Sequence, residues 1–299
     1  MTKPINLPGP ASEPAPGRPG RKLGPIDSTV SSSHRAWLEP TRERYLSSGC
    51  TLHELSFTVL LAKSKLSELL RGVGYYPRWE VMQRLAGQLE LPGWPLYRLW
   101  RQAALDAGKS REWVDRSSEG KTALATGQPL EHGALCDTVE AGYLAFAGAF
   151  LTADAAACAV KDSFAILWLS FNEALASSDY RRYAWRILRA TVLARADHRD
   201  QRPVLVPAAF DTLALHDTTD LDERIAQLTE TLELFTAMSK LPDAQLDVMV
   251  LRHVCGLTPE RASDLLGVPL AAVRSDERHA RRFLTDTIEL PPHNGGPTP

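Results

Sequence analysis

The chain has 299 residues, of which 44% are hydrophobic and 23% are charged, and its formal net charge is −2. A chain of this length and composition can bury sizeable cores, and it favours two or three small domains over one. No apolar run reaches the length of a membrane span, and no charged start with an apolar core marks a secretory signal. These features exclude a membrane protein and predict a cytoplasmic one.

The residue types that carry catalysis or bind metals are scattered along the chain. The four cysteines lack the close pairs of a zinc site and the density of a disulfide scaffold, which predicts free thiols at Cys50, Cys136, Cys158 and Cys255. The eight histidines stand singly, without metal-ligand spacing or a nucleophile motif nearby. We therefore expect no enzyme, no cofactor and no metal site.

The first 33 residues are rich in Pro, Gly and Ser and lack apolar periodicity, which predicts a disordered tail. Its basic end at Arg18, Arg21 and Lys22 is interpreted as a solvated arm, with DNA contact as the alternative. We expect ordered structure to begin near Ser33, as the cap of a first helix.

A helix-turn-helix pattern follows from Thr51. Thr51 and Glu54 are spaced as a capping box, and Leu55 and Val59 lie four residues apart on one helix face. Gly72 closes the second helix of the pair, and Pro77 can start a further one. The sequence predicts five helices within a domain at 34–116.

These residues resemble the lambda-repressor-like domain of the xenobiotic-response-element regulators, whose core reads Thr-x-x-Glu-Leu-Ala, a turn, then Ser-x-x-x-x-Ser-x-x-x-x-Gly. Leu60 replaces the glycine usual in that turn, which predicts a distorted turn. The resemblance implies a DNA-reading surface on the second helix, with two arginines nearer the phosphates: Lys63, Ser64, Lys65, Ser67 and Glu68, then Arg71 and Arg78. The alternative is a divergent helical domain that binds protein.

Residues 117–135 are small and polar and predict a linker. Its Gly120-Lys121-Thr122 tripeptide hints at a phosphate loop, but position 115 is Asp where such a loop has glycine, so ATP binding is not expected.

Residues 136–196 carry apolar and aromatic side chains at helical spacing and predict three helices. They resemble the core-polymerase-binding domain of sigma factors of the extracytoplasmic-function type, through residues 151–154, 160–164 and 187–190. The resemblance implies RNA polymerase contact by Val160, Lys161, Asp162, Phe164 and Trp168. Lys161, Ala190 and Ala194 depart from the family's pattern, so the scaffold is retained and the working surface altered.

After a predicted flexible linker at 197–230, a second helix-turn-helix lies within 231–290, followed by a tail at 291–299. Thr258 can cap a helix that begins at Pro259, and Gly267 can end it in a left-handed conformation. The next helix has an apolar face and several arginines that suit contact with phosphates.

This segment resembles the C-terminal promoter-binding domain of the same sigma factors, through Leu241-Pro242, residues 256–258, residues 265–268 and residues 279–284. The resemblance implies that it reads the upstream promoter element. The residues expected at the DNA are Arg274, Ser275, Arg278, His279, Arg281 and Arg282. A helix-turn-helix that only packs or dimerises is the alternative.

Glu277 interrupts the apolar face of this last helix, at the position seven residues after Leu270. A buried carboxylate without a partner would be costly. We therefore expect either a basic partner, with Arg252 and Arg261 as candidates, or a helix rotated enough to expose Glu277.

The expected fold is all-α, with three small helical domains, two of them helix-turn-helix, joined by flexible linkers. The expected function is DNA-binding transcription regulation, as a divergent sigma factor that directs RNA polymerase to promoters. The alternative is a repressor or activator whose sigma-like part no longer initiates transcription, and a third class is a scaffold that binds no DNA. The expected partners are double-stranded promoter DNA, core RNA polymerase and an anti-sigma or other regulatory protein.

Overall fold

The computed structural model describes residues 23–119, 127–206 and 233–287, called here the N-terminal, middle and C-terminal parts. The fold class is all-α, as predicted, and the N-terminal part consists of six helices. They are α1 (Ser32–Ser47), α2 (Leu52–Val59), α3 (Lys63–Leu69), α4 (Trp79–Leu89), α5 (Gly93–Asp106) and α6 (Arg111–Ser118). None of the described helices is long and apolar enough to cross a bilayer.

The middle part has four helices and a short antiparallel hairpin, namely α7 (Leu130–Gly148), α8 (Ala153–Leu169), α9 (Phe171–Ala176), α10 (Tyr180–Leu193), β1 (His198–Arg199) and β2 (Arg202–Pro203). In the C-terminal part, residues 233–238 are helical. Three further helices follow, with a π-helical turn after the first of them. They are α11 (Asp243–Met249), the π-helical turn (Val250–Val254), α12 (Pro259–Leu266) and α13 (Leu270–Thr287).

Several predicted boundaries shift in the structure. The predicted tail at 1–33 overlaps ordered chain, because Val30 is buried and Leu23 packs against the same core. Helix α7 begins at Leu130, inside the predicted linker at 117–135. The Gly120-Lys121-Thr122 tripeptide, residues 1–22, most of the linker at 197–230 and the tail at 291–299 lie outside the described residues.

The described residues form two hydrophobic cores, so a division into three separately packed domains is not confirmed. One core unites the middle and C-terminal parts, from Leu135 to Leu284. The other belongs to the N-terminal part, but it also contains Ala165 and Leu169 from α8. Helix α8 therefore lies between the two cores and contributes side chains to both.

A buried carboxylate joins the N-terminal and middle parts. Only 1% of the Asp162 side chain is exposed, and its two oxygens accept hydrogen bonds from Arg98 of α5 at 2.9 Å and Arg195 at 2.7 Å. A buried charge of this kind is tolerated only when it is paired and hydrogen-bonded. Asp162 therefore holds α5 and the segment after α10 against the same point of α8.

A second buried carboxylate joins the middle and C-terminal parts. Asp247 on α11 accepts hydrogen bonds from the Trp185 indole at 3.0 Å and the Arg189 Nε at 2.8 Å. Burial raises the pKa of Asp247 to about 6, although Arg189 and Trp185 act in the opposite direction. Arg189 also pairs with the exposed carboxylate of Asp243 at 2.9 Å.

Two glycines allow the C-terminal helix-turn-helix to pack closely on the middle part. A Cβ at Gly142 would lie 2.4 Å from the end of the Leu265 side chain, so a larger residue on α7 would require Leu265 of α12 to shift. Gly267 has φ +62°, and a Cβ there would lie 2.3 Å from the backbone nitrogen of Arg182 at the start of α10. The glycine that ends α12 is therefore also part of the contact with α10.

Leu60 ends α2 in the left-handed conformation, with φ 56° and ψ 43°. Its side chain is 71% exposed, so little burial compensates for this backbone conformation. The left-handed region costs an L-residue about 1–2 kcal/mol. The turn between α2 and α3 therefore has a left-handed residue without a glycine, and Leu60 bears that cost.

We expect Leu60→Gly to raise the free energy of unfolding by about 1 kcal/mol, because glycine adopts a positive φ at no steric cost. Leu144→Gly is the matched control, since Leu144 is an exposed leucine in the middle of α7 and glycine there should lower stability by about 1 kcal/mol. Thermal or urea unfolding measures both. Equal destabilisation by the two substitutions would contradict the assignment of strain to Leu60.

We expect Asp247→Ala to destabilise the chain by about 3 kcal/mol, because it leaves the Arg189 guanidinium and the Trp185 N–H without their buried acceptor. Asp243→Ala removes the other partner of the same arginine, but the Asp243 side chain is 82% exposed, so the loss should stay below about 1 kcal/mol. Urea unfolding of the two variants compares them directly. Similar losses in the free energy of unfolding would show that the buried Asp247 contributes no more to stability than the exposed Asp243.

Candidate nucleic-acid interface

The C-terminal helix-turn-helix is built by strong local signals. The Thr258 hydroxyl accepts a hydrogen bond from the Arg261 backbone nitrogen at 3.3 Å, and Pro259 occupies the first helical position, where no amide hydrogen is needed. Gly267 ends α12 in the left-handed conformation. These three features, predicted from the sequence, set the start and the end of the first helix of the motif.

Helix α13 presents a basic surface. Val273, Ala280 and Leu284 are buried against the core, which turns the opposite face of the helix outward. Five of the six residues predicted to contact DNA here are exposed, namely Arg274, Arg278, His279, Arg281 and Arg282, while Ser275 is half-buried. An exposed row of arginines on one helix suits contact with phosphates.

The arginines of α13 differ in their intramolecular partners. Arg274 lies 3.4 Å from Glu260, and Arg281 lies 3.1 Å from Glu277. Within the part of the chain that the structure describes, Arg278 and Arg282 have no ion-pair partner. Their charges are therefore fully available to an external anion.

Glu277 has the basic partner that its position in the apolar face predicted. Its side chain is 12% exposed, and its oxygens lie 3.4 Å from the Arg252 Nε and 3.0 Å from the His253 Nε2. Burial alone would raise the pKa of Glu277, but the Arg252 charge and the His253 hydrogen bond outweigh burial and lower it. Arg252 was one of the two predicted candidates, whereas His253 was not predicted.

The π-helical turn explains how neighbouring residues reach the same carboxylate. Arg252 and His253 both lie in Val250–Val254, where the wider turn brings consecutive side chains nearer to one face than an α-helix does. Arg252 also donates to the Leu257 carbonyl through Nη1. No residue spacing in the sequence signals this turn, so sequence reasoning could not find the role of His253.

Helix α2 of the N-terminal part has the predicted capping box. The Glu54 backbone nitrogen donates to the Thr51 hydroxyl at 3.2 Å, and the Glu54 carboxylate accepts from the Thr51 backbone nitrogen at 2.8 Å. Lys63, Ser64 and Lys65 are exposed at the start of α3. The start of α3 is therefore open to a partner.

The other predicted contact residues of this motif are less free. Lys65 pairs with Glu68 at 2.8 Å, which neutralises part of the basic surface. Ser67, Glu68 and Arg71 are half-buried, while Arg78 is exposed at the start of α4. DNA reading by this surface stays a prediction.

The residues predicted to contact RNA polymerase are mostly engaged within the chain. Val160 is fully buried, and Asp162 is enclosed by Arg98 and Arg195. The half-buried Phe164 ring stacks on Tyr143, and Trp168 lies beside Trp94 of the N-terminal part, with ring centroids 5.9 Å apart in both pairs. Lys161 alone of the five is exposed. In this arrangement Val160 and Asp162 are packing residues and cannot contact a partner.

The described residues bring no three metal-ligating side chains together. Cys136 is buried and Cys255 is half-buried, and burial raises the pKa of each thiol to about 12, so neither is a thiolate near neutral pH.

We expect Glu277→Leu to destabilise the chain by about 1–3 kcal/mol, because Arg252 and His253 lose their shared acceptor in a half-buried place. The lowered pKa of Glu277 adds a pH dependence. The pairing of Glu277 stabilises the fold at pH values above its ordinary pKa of 4.5, and this stabilisation is lost as the pH falls through the lowered pKa. The variant should lack this pH-dependent part of the stability. Glu260→Gln, at the exposed pair with Arg274, should leave the stability nearly unchanged. An unchanged melting temperature for Glu277→Leu would place Glu277 at the surface.

Comparison with known proteins agrees with the geometry of the C-terminal part. Residues 231–284 match the family model described as Sigma-70, region 4. No curated protein and no solved structure matches the chain. The C-terminal part is therefore similar to region 4 of sigma-70 factors, which indicates a DNA-binding, sigma-factor-like role in transcription.

Proposed function

We propose that this chain is a DNA-binding transcription regulator whose α13 contacts promoter DNA. The observation that carries the proposal is the exposed row of arginines on α13, in a segment similar to sigma-70 region 4. Arg278 and Arg282 supply charge without an intramolecular partner among the described residues. His279 lies between these two arginines, Ser275 lies one turn before them on the same helix, and both can add hydrogen bonds to bases or phosphates.

In the first form of this proposal the chain is a divergent sigma factor that directs core RNA polymerase to promoters. The resemblance of the middle part to a polymerase-binding domain and the similarity of the C-terminal part to region 4 support it. Polymerase would then meet Lys161 and, after a rearrangement, the residues now covered by the N-terminal part.

A second form is favoured by the packing of the N-terminal part on α8. Trp168 lies against Trp94, and the Asp162 carboxylate is occupied by Arg98 and Arg195. A regulator that binds DNA without delivering polymerase to it needs none of these groups free. In this form the sigma-like helices serve as a scaffold that carries two helix-turn-helix motifs.

Purified core polymerase separates the two forms. Co-elution of the full chain with core enzyme, together with run-off transcripts from a bound promoter, supports the sigma factor. DNA binding without co-elution supports the second form. A chain that neither binds DNA nor co-elutes with core polymerase would contradict both forms of the proposal.

The DNA contact itself is tested by the double substitution Arg278→Ala and Arg282→Ala. Each lost phosphate contact should reduce the slope of log K against log salt by about 0.9, so the double variant should lose nearly 2 units across all duplex sequences. The double substitution Arg111→Ala and Arg116→Ala, at two exposed arginines of α6, is the control for the loss of two positive charges. A double variant with the salt slope of the unmodified chain would remove α13 from the interface.

A further inference from the structure

A cavity lies between the N-terminal and middle parts. Its volume is about 340 Å³, within the range of small-molecule sites, and domain interfaces are a preferred location for such sites. Helix α1 forms one wall, and α8 and α10 form the other. The apolar lining consists of Ala36, Pro40, Ile166, Ile187, Ala190 and Ala194.

Both arginines that line the cavity are committed to protein acceptors. Arg35 donates to the Glu39 carboxylate at 3.1 Å, to the Asp27 carbonyl at 2.8 Å and to the Val30 carbonyl at 3.2 Å. Arg195 donates to the buried Asp162 at 2.7 Å. An anionic ligand would have to compete with these contacts for a donor.

The Glu43 carboxylate, in contrast, has no hydrogen-bond or ion-pair partner among the described residues. It lies four residues after Glu39 on the same face of α1, at the mouth of the cavity. Burial raises the pKa of Glu43, and the negative charges of Glu39 and Glu173 raise it further. Glu39 is paired with Arg35, so Glu43 is the one carboxylate of the lining that has no partner among the described residues, and it lies above an apolar floor.

We propose that this cavity binds an organic cation with an apolar body. The cationic group lies at Glu43, and the apolar body lies against Ile166 and Ile187. The alanines at 190 and 194 leave the room that larger side chains would fill. Because the two walls belong to different parts of the chain, a bound cation contacts both and stabilises their docked arrangement by mass action.

The site does not depend on the proposed DNA contact, and it is tested on the full chain without DNA. Isothermal titration calorimetry compares benzyltrimethylammonium with phenylacetate, which has a similar apolar body and the opposite charge. We expect the cation to bind at one site and the anion to bind at least about tenfold more weakly. Glu43→Gln should weaken binding of the cation by about threefold, as expected for a partly exposed ion pair.

Two further variants make the result specific. Ala190→Trp, at an exposed position of α10, should fill the cavity and abolish binding, whereas Glu140→Gln on α7 removes a carboxylate away from the cavity and should leave the Kd unchanged. Equal binding of cation and anion, full binding by Ala190→Trp, or no binding of the cation would each overturn the proposal. DNA binding measured on the same samples keeps the two proposals apart, because a chain that binds DNA but no cation contradicts the cavity site alone.

Discussion

The structure depends on buried carboxylates that accept hydrogen bonds from another part of the chain. Asp162 and Asp247 each sit on a helix of one part and are held by arginines, two at Asp162 and Arg189 at Asp247. A lone buried charge is too costly to keep, so each carboxylate requires its partner to be in place. Apolar burial would tolerate many arrangements of these helices, whereas a paired carboxylate tolerates few. The hydrogen bonds of Asp162 and Asp247 therefore fix how the three parts pack against one another.

This packing changes how the α2–α3 pair and the C-terminal helix-turn-helix relate to each other. On flexible tethers, the separation of two domains would vary with the square root of linker length. Here α12 lies directly against α7 and α10, and α8 contributes to both cores. In this arrangement the spacing between two DNA-reading surfaces would be set by side-chain packing. A substitution of a buried residue such as Asp162 would then change the relative position of both surfaces, although Asp162 lies in neither of them.

The sequence predicts local features of this chain better than its junctions. The all-α class, the capping box at Thr51, the cap at Thr258 and the left-handed Gly267 follow from chemistry within a few residues, and the structure has all four. The resemblance predicts that Asp162 faces a partner protein, and its neighbours Lys161 and Ser163 give no local sign of burial. Its partner Arg98 is 64 positions away, so this pairing depends on tertiary packing. The π-helical turn lacks any comparable signal.

Glu277 shows why a carboxylate can persist in a helix that is proposed to contact DNA. Its charge is opposed by Arg252 and Arg281, so the cluster stays cationic and does not repel phosphates. Its lowered pKa keeps it ionised, and it therefore orients the Arg281 guanidinium at 3.1 Å. An arginine held in this way loses less side-chain entropy when its remaining N–H groups meet a phosphate, whereas Arg278 and Arg282 must be ordered on contact. The same carboxylate that breaks the apolar pattern of α13 can thus preorganise one of its phosphate contacts.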